Sequence, residues 1–347
     1  MLRDPIDEPR LIFGCTNAHK PGFIDFVHPG YDGGDDKSHV LLSLRALDDG
    51  GIDYATAHTA CGILAANRWD GFFSRDRYGT QKVERSEDGV LRDNRYFYHV
   101  PPASTDEPYP VLTRFNDWRF PHNALPPLWT RLQRNLSSGV EPERVGINNG
   151  HCSLSNYADG VESAHLVPSA QSNWWSRNHM ARYGETNLFS TDPINAPANY
   201  IPLRSDIHKI FDERHFCLVP KEPRSKKFAD QGERVVVLGQ SEAESTSREG
   251  DKCGTGEREN DNIPPNTASQ TGPCLVAHVF NSTPSGQLPR LWHNRRVHAL
   301  PSTVSVECLF VRFAWTVFSP TVFRDFLYAT ERHRRILVWD PDKSEHE

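Results

Sequence analysis

Apolar positions along the chain fall in short runs separated by Gly-, Pro- and Asp-rich stretches, and few runs hold one period for long. Residues 1–50 show little periodicity before HVLLSLRAL. DYATAHTACGILAANRWDGFFS reads as one or two strands broken near residues 67–71, and YFYHV (96–100) and YPVLTRF (109–115) read as strands from their aromatic and β-branched content. Prolines at 101, 102, 108 and 110 mark turns or strand edges. WRFPHNALPPLWTRLQRN predicts an aromatic turn and a short helix from near Pro127. Apolar residues at 306, 309, 310, 313 and 317 follow the spacing of an amphipathic helix within VSVECLFVRFAWTVF. Ser319 and Pro320 then fit the N-cap and first position of another helix reaching about Arg332, and ILVW (336–339) a final strand.

This pattern divides the chain of 347 residues into a poorly ordered N-terminal segment (1–50), a β-rich block (51–140), a block carrying the candidate chemistry (145–221), an acidic low-complexity insertion (222–272) and a helical C-terminal part (273–340). The expected class is α+β: a mostly β N-terminal block, a catalytic unit and a helical C-terminal cover. Net charge is −6, which suits few nucleic-acid enzymes, but residues 239–261 hold seven acids against three bases and so account for four of those charges. Such polar composition cannot bury enough surface to offset chain entropy, which predicts disorder there. Seven cysteines at 15, 61, 152, 217, 253, 274 and 308 include no CxxC pair, so neither a zinc ribbon nor a secreted disulfide framework is expected. MLRDPIDEPR lacks the apolar core of a signal peptide, and no window approaches a bilayer span, so an intracellular protein, nuclear or cytoplasmic, without membrane contact is expected.

The chemistry concentrates in ESAHLVP and NYIPLRSDIHKIFDERHFCLVPK. His165 closes a short apolar run, which suits a general base at a strand end because imidazole titrates near neutral pH. His208 and Asp212 stand four apart in a helical segment and therefore share a face. Ser205 fits that helix's N-cap, which sets His208 at the third helical position. Asn199 directly precedes the second apolar run. Taken singly, each has a plain structural reading: a core histidine, a solvated helix face, a turn asparagine.

His, Asn and His in this order resemble the HNH nuclease family. The similarity is to the subclass with an AH(I/L)xP first motif and an N-x-(I/L)-x-L-x-x-D-(I/L)-H-x-x-F-D second motif. It extends to a group of fungal HNH proteins through CxLSNxxxGVESAHLVP, FNDWRFPH and LWHNRRVH…LFVRFAW, roughly residues 50–220 and 273–340. The resemblance implies a ββα-metal unit that hydrolyses phosphodiester bonds of DNA, with RNA the second choice. His165 would be the base and Asn199 would orient it. His208 and Asp212 would hold one divalent ion, Mg²⁺ first and Mn²⁺ as the alternative. Ala164 stands where many HNH enzymes carry a metal-binding aspartate, so the second carboxylate is expected from Asp212, with Glu162 behind it.

The gap of 34 positions between His165 and Asn199 is long for a hairpin and contains SAQSNWWSRNHMARYG. Its tryptophans, Arg177 and Arg182 either pack the insertion onto the domain, the first choice, or contact nucleic acid. Arg204 and Lys209 flank the candidate site, and Arg295 and Arg296 lie in an acid-free stretch from 262 to 306; all four are candidate phosphate contacts. The contrasting reading is an inactive HNH-fold scaffold that binds protein through the N-terminal block and the acidic insertion.

Overall fold

The structure is a computed structural model that describes residues 22–30, 40–101, 108–137, 150–184, 192–223, 272–283, 285–323 and 326. Strands β1 (Phe23–Val27) and β2 (Val40–Arg45) pair antiparallel, with Phe23 opposite Arg45 and Val27 opposite Val40. Both come from the first fifty residues, where the sequence shows little period. β1 supplies Ile24 and Phe26 to the core, and β2 supplies Leu42 and Leu44.

After β3 (Ile52–Asp53) the chain forms helix α1 (Tyr54–Leu64), where strands were expected. The Asp53 carboxylate accepts from the Thr56 backbone N–H and hydroxyl, both at 2.8 Å, and this cap starts the helix. Ala57, Ala60, Cys61 and Gly62 then keep α1 thin enough to be buried along most of its length. A Cβ at Gly62 would lie 2.6 Å from the Trp69 ring, so only glycine admits that contact. β4 (Phe72–Ser74), β5 (Val90–Leu91) and β6 (Arg95–His99) follow. β1, β2, β4 and β6 make a four-stranded sheet in the order β2-β1-β6-β4, with β1 and β6 parallel and the other neighbours antiparallel. Residues 109–115 form no strand. Pro108 and Pro110 contribute no N–H to a ladder, and the segment is tied instead by Leu112 N–H to the Leu64 carbonyl (2.8 Å) and Tyr109 O–H to the Tyr98 carbonyl (3.0 Å). Helix α2 (Pro127–Ser137) begins at the expected proline.

The second half contains β7 (Val161–His165), α3 (Ser172–Arg177), β8 (Tyr200–Arg204), α4 (Ser205–Asp212), β9 (Phe216–Lys221), β10 (Cys274–Val279), α5 (Gln287–Trp292) and α6 (Val306–Val317). β7 pairs antiparallel with β8, and β9 with β10, so the C-terminal part contributes a strand as well as helices. Helix α6 is not amphipathic: every residue but Trp315 is buried. It packs against α1, α2 and β9, with Phe310 touching the rings of Trp69, Trp118, Phe120 and Trp129. Trp174 stacks on Trp118 at 5.5 Å and donates to the Trp118 carbonyl, and Trp175 is buried beside it. Arg177 donates to the Asn116 carbonyl and Arg182 lies over Tyr183. The described part of the insertion between β7 and β8 therefore packs onto the domain. The acidic stretch expected to be disordered, most of the helix expected after Ser319 and the strand at 336–339 lie outside the described residues.

A buried polar knot ties the two halves together. Asp48 Oδ1 accepts from Lys221 Nζ (2.6 Å), Asn294 Nδ2 (2.7 Å) and His293 Nε2 (3.1 Å), while Oδ2 accepts the Asp53 N–H (2.8 Å). Lys221 also donates to Asn294 Oδ1 at 2.8 Å. Burial pushes the Asp48 carboxyl up, but Lys221, helped by His293 and His278, outweighs it and holds the group well below the usual range. Burial drives the ring of neighbouring His278 far down, and its Nδ1 has no hydrogen-bond partner.

Lys221→Met should strand a buried carboxylate and cost about 3–5 kcal/mol in urea unfolding, and adding Asp48→Asn should recover part of the loss. The pH dependence follows from His278. Its folded-state pKa is lowered, so below about pH 6.5 the unfolded chain binds a proton that the native chain refuses, and stability falls. The depressed Asp48 adds its own loss only below about pH 4. His278→Phe should therefore retain more of its pH 7 stability at pH 5 than the unaltered protein does, as read by urea midpoints.

Candidate active site

β7, β8 and α4 form a strand pair followed at once by a helix. Gly160 enters β7 at φ 67°, a left-handed turn that suits glycine, and its carbonyl accepts the Ser205 N–H at 2.9 Å. Register then sets His165, the last residue of β7, opposite Tyr200, the first of β8, with their rings 4.3 Å apart.

Asn199 is fully buried. Its side-chain oxygen accepts the Val167 N–H (2.8 Å), and its amide nitrogen donates to the carbonyls of Val167 and Ile194 (both 2.9 Å). Its own carbonyl accepts the Leu166 N–H at 2.8 Å. Every polar group of that side chain is thus spent on backbone, and it clamps the two residues that follow His165. The His165 side chain is met by Asn195 instead, whose Oδ1 lies 3.0 Å from Nε2 and also accepts the Tyr200 hydroxyl at 2.9 Å. Asn195 Nδ2 donates to Asp192 Oδ2 at 2.9 Å. An ionised carboxylate only accepts, so Asp192 turns the Asn195 amide until its oxygen faces the imidazole. The proton of neutral His165 then resides on Nε2, and the lone pair is left on Nδ1.

On α4, His208 has a carboxylate at each ring nitrogen: Glu162 Oε2 is 2.8 Å from Nδ1 and Asp212 Oδ2 is 3.2 Å from Nε2. Glu162 thus reaches across from β7 to the helix. The helix starts one residue earlier than expected. Arg204 holds the cap position without a side-chain cap bond, Ser205 is the first helical residue, and His208 is the fourth. Arg204 forks instead onto Asp206, at 2.6 and 2.7 Å, which matches its charge locally.

His208 and Asp212 offer one nitrogen and one oxygen that a divalent ion could share. Two ligands about 2.1 Å from Mg²⁺ and at right angles lie about 3 Å apart, close to the observed Nε2–Oδ2 separation. Glu162 on the opposite nitrogen is the carboxylate partner that a metal-binding imidazole ordinarily carries. Among the described residues the one group of three or more metal-ligating side chains whose ligand atoms all lie within 4.8 Å of one another is elsewhere, Asp48, His278 and His293. There the Lys221 ammonium already supplies the positive charge at Asp48.

Of the candidate phosphate contacts, Lys209 is exposed beside His208 on α4. Arg295 donates to the Leu291 carbonyl and lies over Trp292, and Arg296 bridges Val276 on β10. Those two belong to the β10 edge, an element apart from β7, β8 and α4.

One residue behind the site was not anticipated. Arg312 of α6 is 1% exposed. It donates to the carbonyls of His165 (3.5 Å), Leu166 (3.4 Å) and Phe211, and lies 3.7 Å from Asp212 Oδ1. Its only sequence signal is a charge inside LFVRFAW.

A histidine oriented by Asn195 and a helix carrying a His–Asp pair thus belong to one strand pair and the helix that follows it. Residues 149–219 match the family model for HNH endonuclease, and over that segment the chain is similar to HNH endonucleases. No curated protein and no solved structure matches the chain. The matched segment holds β7, β8 and α4 entire, and leaves out Arg312 and the Asp48–Lys221 pair.

The two asparagines should separate in a stability measurement. Asn199→Ala leaves three buried backbone groups without partners and should cost on the order of 3 kcal/mol in urea unfolding. Asn195→Ala, at an exposed position, should change stability by about 0.5 kcal/mol or less.

Proposed function

We propose that the chain is a metal-dependent HNH endonuclease hydrolysing phosphodiester bonds of DNA, RNA being the second choice. The observation that supports this best is the joint placement of a tautomer-fixed histidine and a His–Asp ligand pair on β7, β8 and α4, within the segment that resembles HNH endonucleases.

In this reading His165 Nδ1 takes a proton from the attacking water. Asn195 accepts from Nε2–H throughout, and as His165 becomes cationic that hydrogen bond strengthens. Asn199 fixes the backbone on which the base sits. His208 Nε2 and Asp212 hold a divalent ion, Mg²⁺ or Mn²⁺, which when bound stabilises charge on the phosphoryl group and the leaving oxygen. Glu162 keeps the proton of His208 on Nδ1 so that Nε2 is free to ligate. Lys209 meets the phosphate backbone, and such contacts position the strand without reading its sequence.

Supercoiled plasmid should be nicked with Mg²⁺ or Mn²⁺ and spared with chelator. His165→Ala should lose about 10²–10⁴-fold in rate. Asp212→Asn should require much more metal for the same rate. Equal cleavage by the wild type and His165→Ala would remove His165 from the mechanism. One observation favours the scaffold alternative: both nitrogens of His208 already have carboxylate partners, which satisfies the ring without an ion. Calorimetric titration with Mn²⁺ separates the two, because a scaffold should take up no metal at millimolar concentration.

A further inference from the structure

We propose that Arg312 is a positioning residue that sets the histidine strand against the metal-binding helix, so that the nuclease site is completed by a helix outside the segment resembling HNH endonucleases. This rests on the function proposed above. The guanidinium reaches the His165 and Leu166 carbonyls with one nitrogen, and the Phe211 carbonyl and Asp212 carboxylate with another. The first pair belongs to the residue assigned as base and its neighbour. The second belongs to the helix end that carries the assigned ligand. One rigid plane therefore spans the two parts of the site. It lies on the Phe211 ring at 3.6 Å and the Trp315 ring at 4.7 Å, which fixes its tilt.

Packing alone does not account for this residue. A charge on a fully buried helix is costly to desolvate, and Arg312 Nε has no hydrogen-bond partner, so an apolar side chain would suit α6 better. Burial lowers its pKa to about 9, with Asp212 opposing that shift, and it stays cationic at neutral pH. Asp212 uses one oxygen toward His208 and the other toward Arg312, so the arginine turns the carboxylate that would ligate the ion. A misplacement of about 1 Å between base and reacting phosphate is enough to cost about 10²-fold in rate.

Lysine keeps the charge but not the fork. Arg312→Lys should lower kcat at least about tenfold, change KM by less than about threefold and weaken Mn²⁺ binding. Phe313→Leu on the same helix, whose ring meets those of Trp129 and Phe280, serves as the packing control and should stay within about twofold of wild type. If Arg312→Lys fails to fold, Trp315→Leu removes one face of the stack and should show the same split in milder form. The imidazole NMR signals of His165 and His208 in the full chain give a readout independent of cleavage: both should move in Arg312→Lys and neither in Phe313→Leu. Unchanged kcat, or a loss no larger than that of the control, would overturn the proposal. Should the wild type cleave nothing, the nuclease reading fails on its own, and the ring signals decide the positioning role; signals that stay in place would refute it.

Discussion

Helix α6 offers water almost no face, and the rest of the molecule is arranged around that constraint. A helix buried all round must be enclosed by apolar surface from every direction. Trp69 beyond α1, Trp118 and Phe120 from the loop before α2, Trp129 from α2 and Phe280 after β10 provide it. Each fully buried large apolar side chain contributes about 1.5–3 kcal/mol, so this enclosure is a major share of what opposes chain entropy. The N-terminal block is thus one wall of a core shared with the second half of the chain; β9 packs on the same helix, and α4 is tied to it through Arg312.

His165 is addressed from two sides by two asparagines with different tasks. Asn199 works in the dry interior, where an unmet backbone group is expensive, and it fixes where the chain runs. Asn195 works at the surface, where Asp192 turns its amide, and it fixes which nitrogen carries the proton. The first task needs burial and the second needs access, and one residue could not do both. The division puts the buried clamp beneath His165 and the exposed contact on its ring.

Much of this was legible because some residues announce their neighbours by spacing alone. β6, α2, α6 and the order strand, strand, helix around His165, Asn199 and His208 all follow from local patterns. Where the reading of period failed, capping, proline and close-packing effects had decided the outcome. Residues 54–64 were read as strand, but the Asp53 cap and the run of small residues that packs against Trp69 make them helical. Residues 109–115 have strand composition, yet prolines deny them a ladder. β1 has too few residues to display a period. Ser205 has the chemistry of a cap, but the fork from Arg204 to Asp206 takes the turn one residue earlier. Arg312 and the knot at Asp48 were invisible because the partners that tie them across the fold lie from 100 residues away (Asp212 from Arg312) to 246 (Asn294 from Asp48), and no window along the chain contains both ends.

The pairing of β9 with β10 sets Lys221 directly opposite Cys274. The chain therefore leaves the core and re-enters it at one rung of one ladder, and Lys221 and Asn294 bolt both shores to Asp48. Whatever lies between departs from and returns to a single fixed doorway about 5 Å wide. Closing such an excursion costs only about 0.6 kcal/mol more for each doubling of its length. The doorway is consequently a natural splice point: a reporter domain grafted into that passage should leave β9, β10 and the helices packed on them in register.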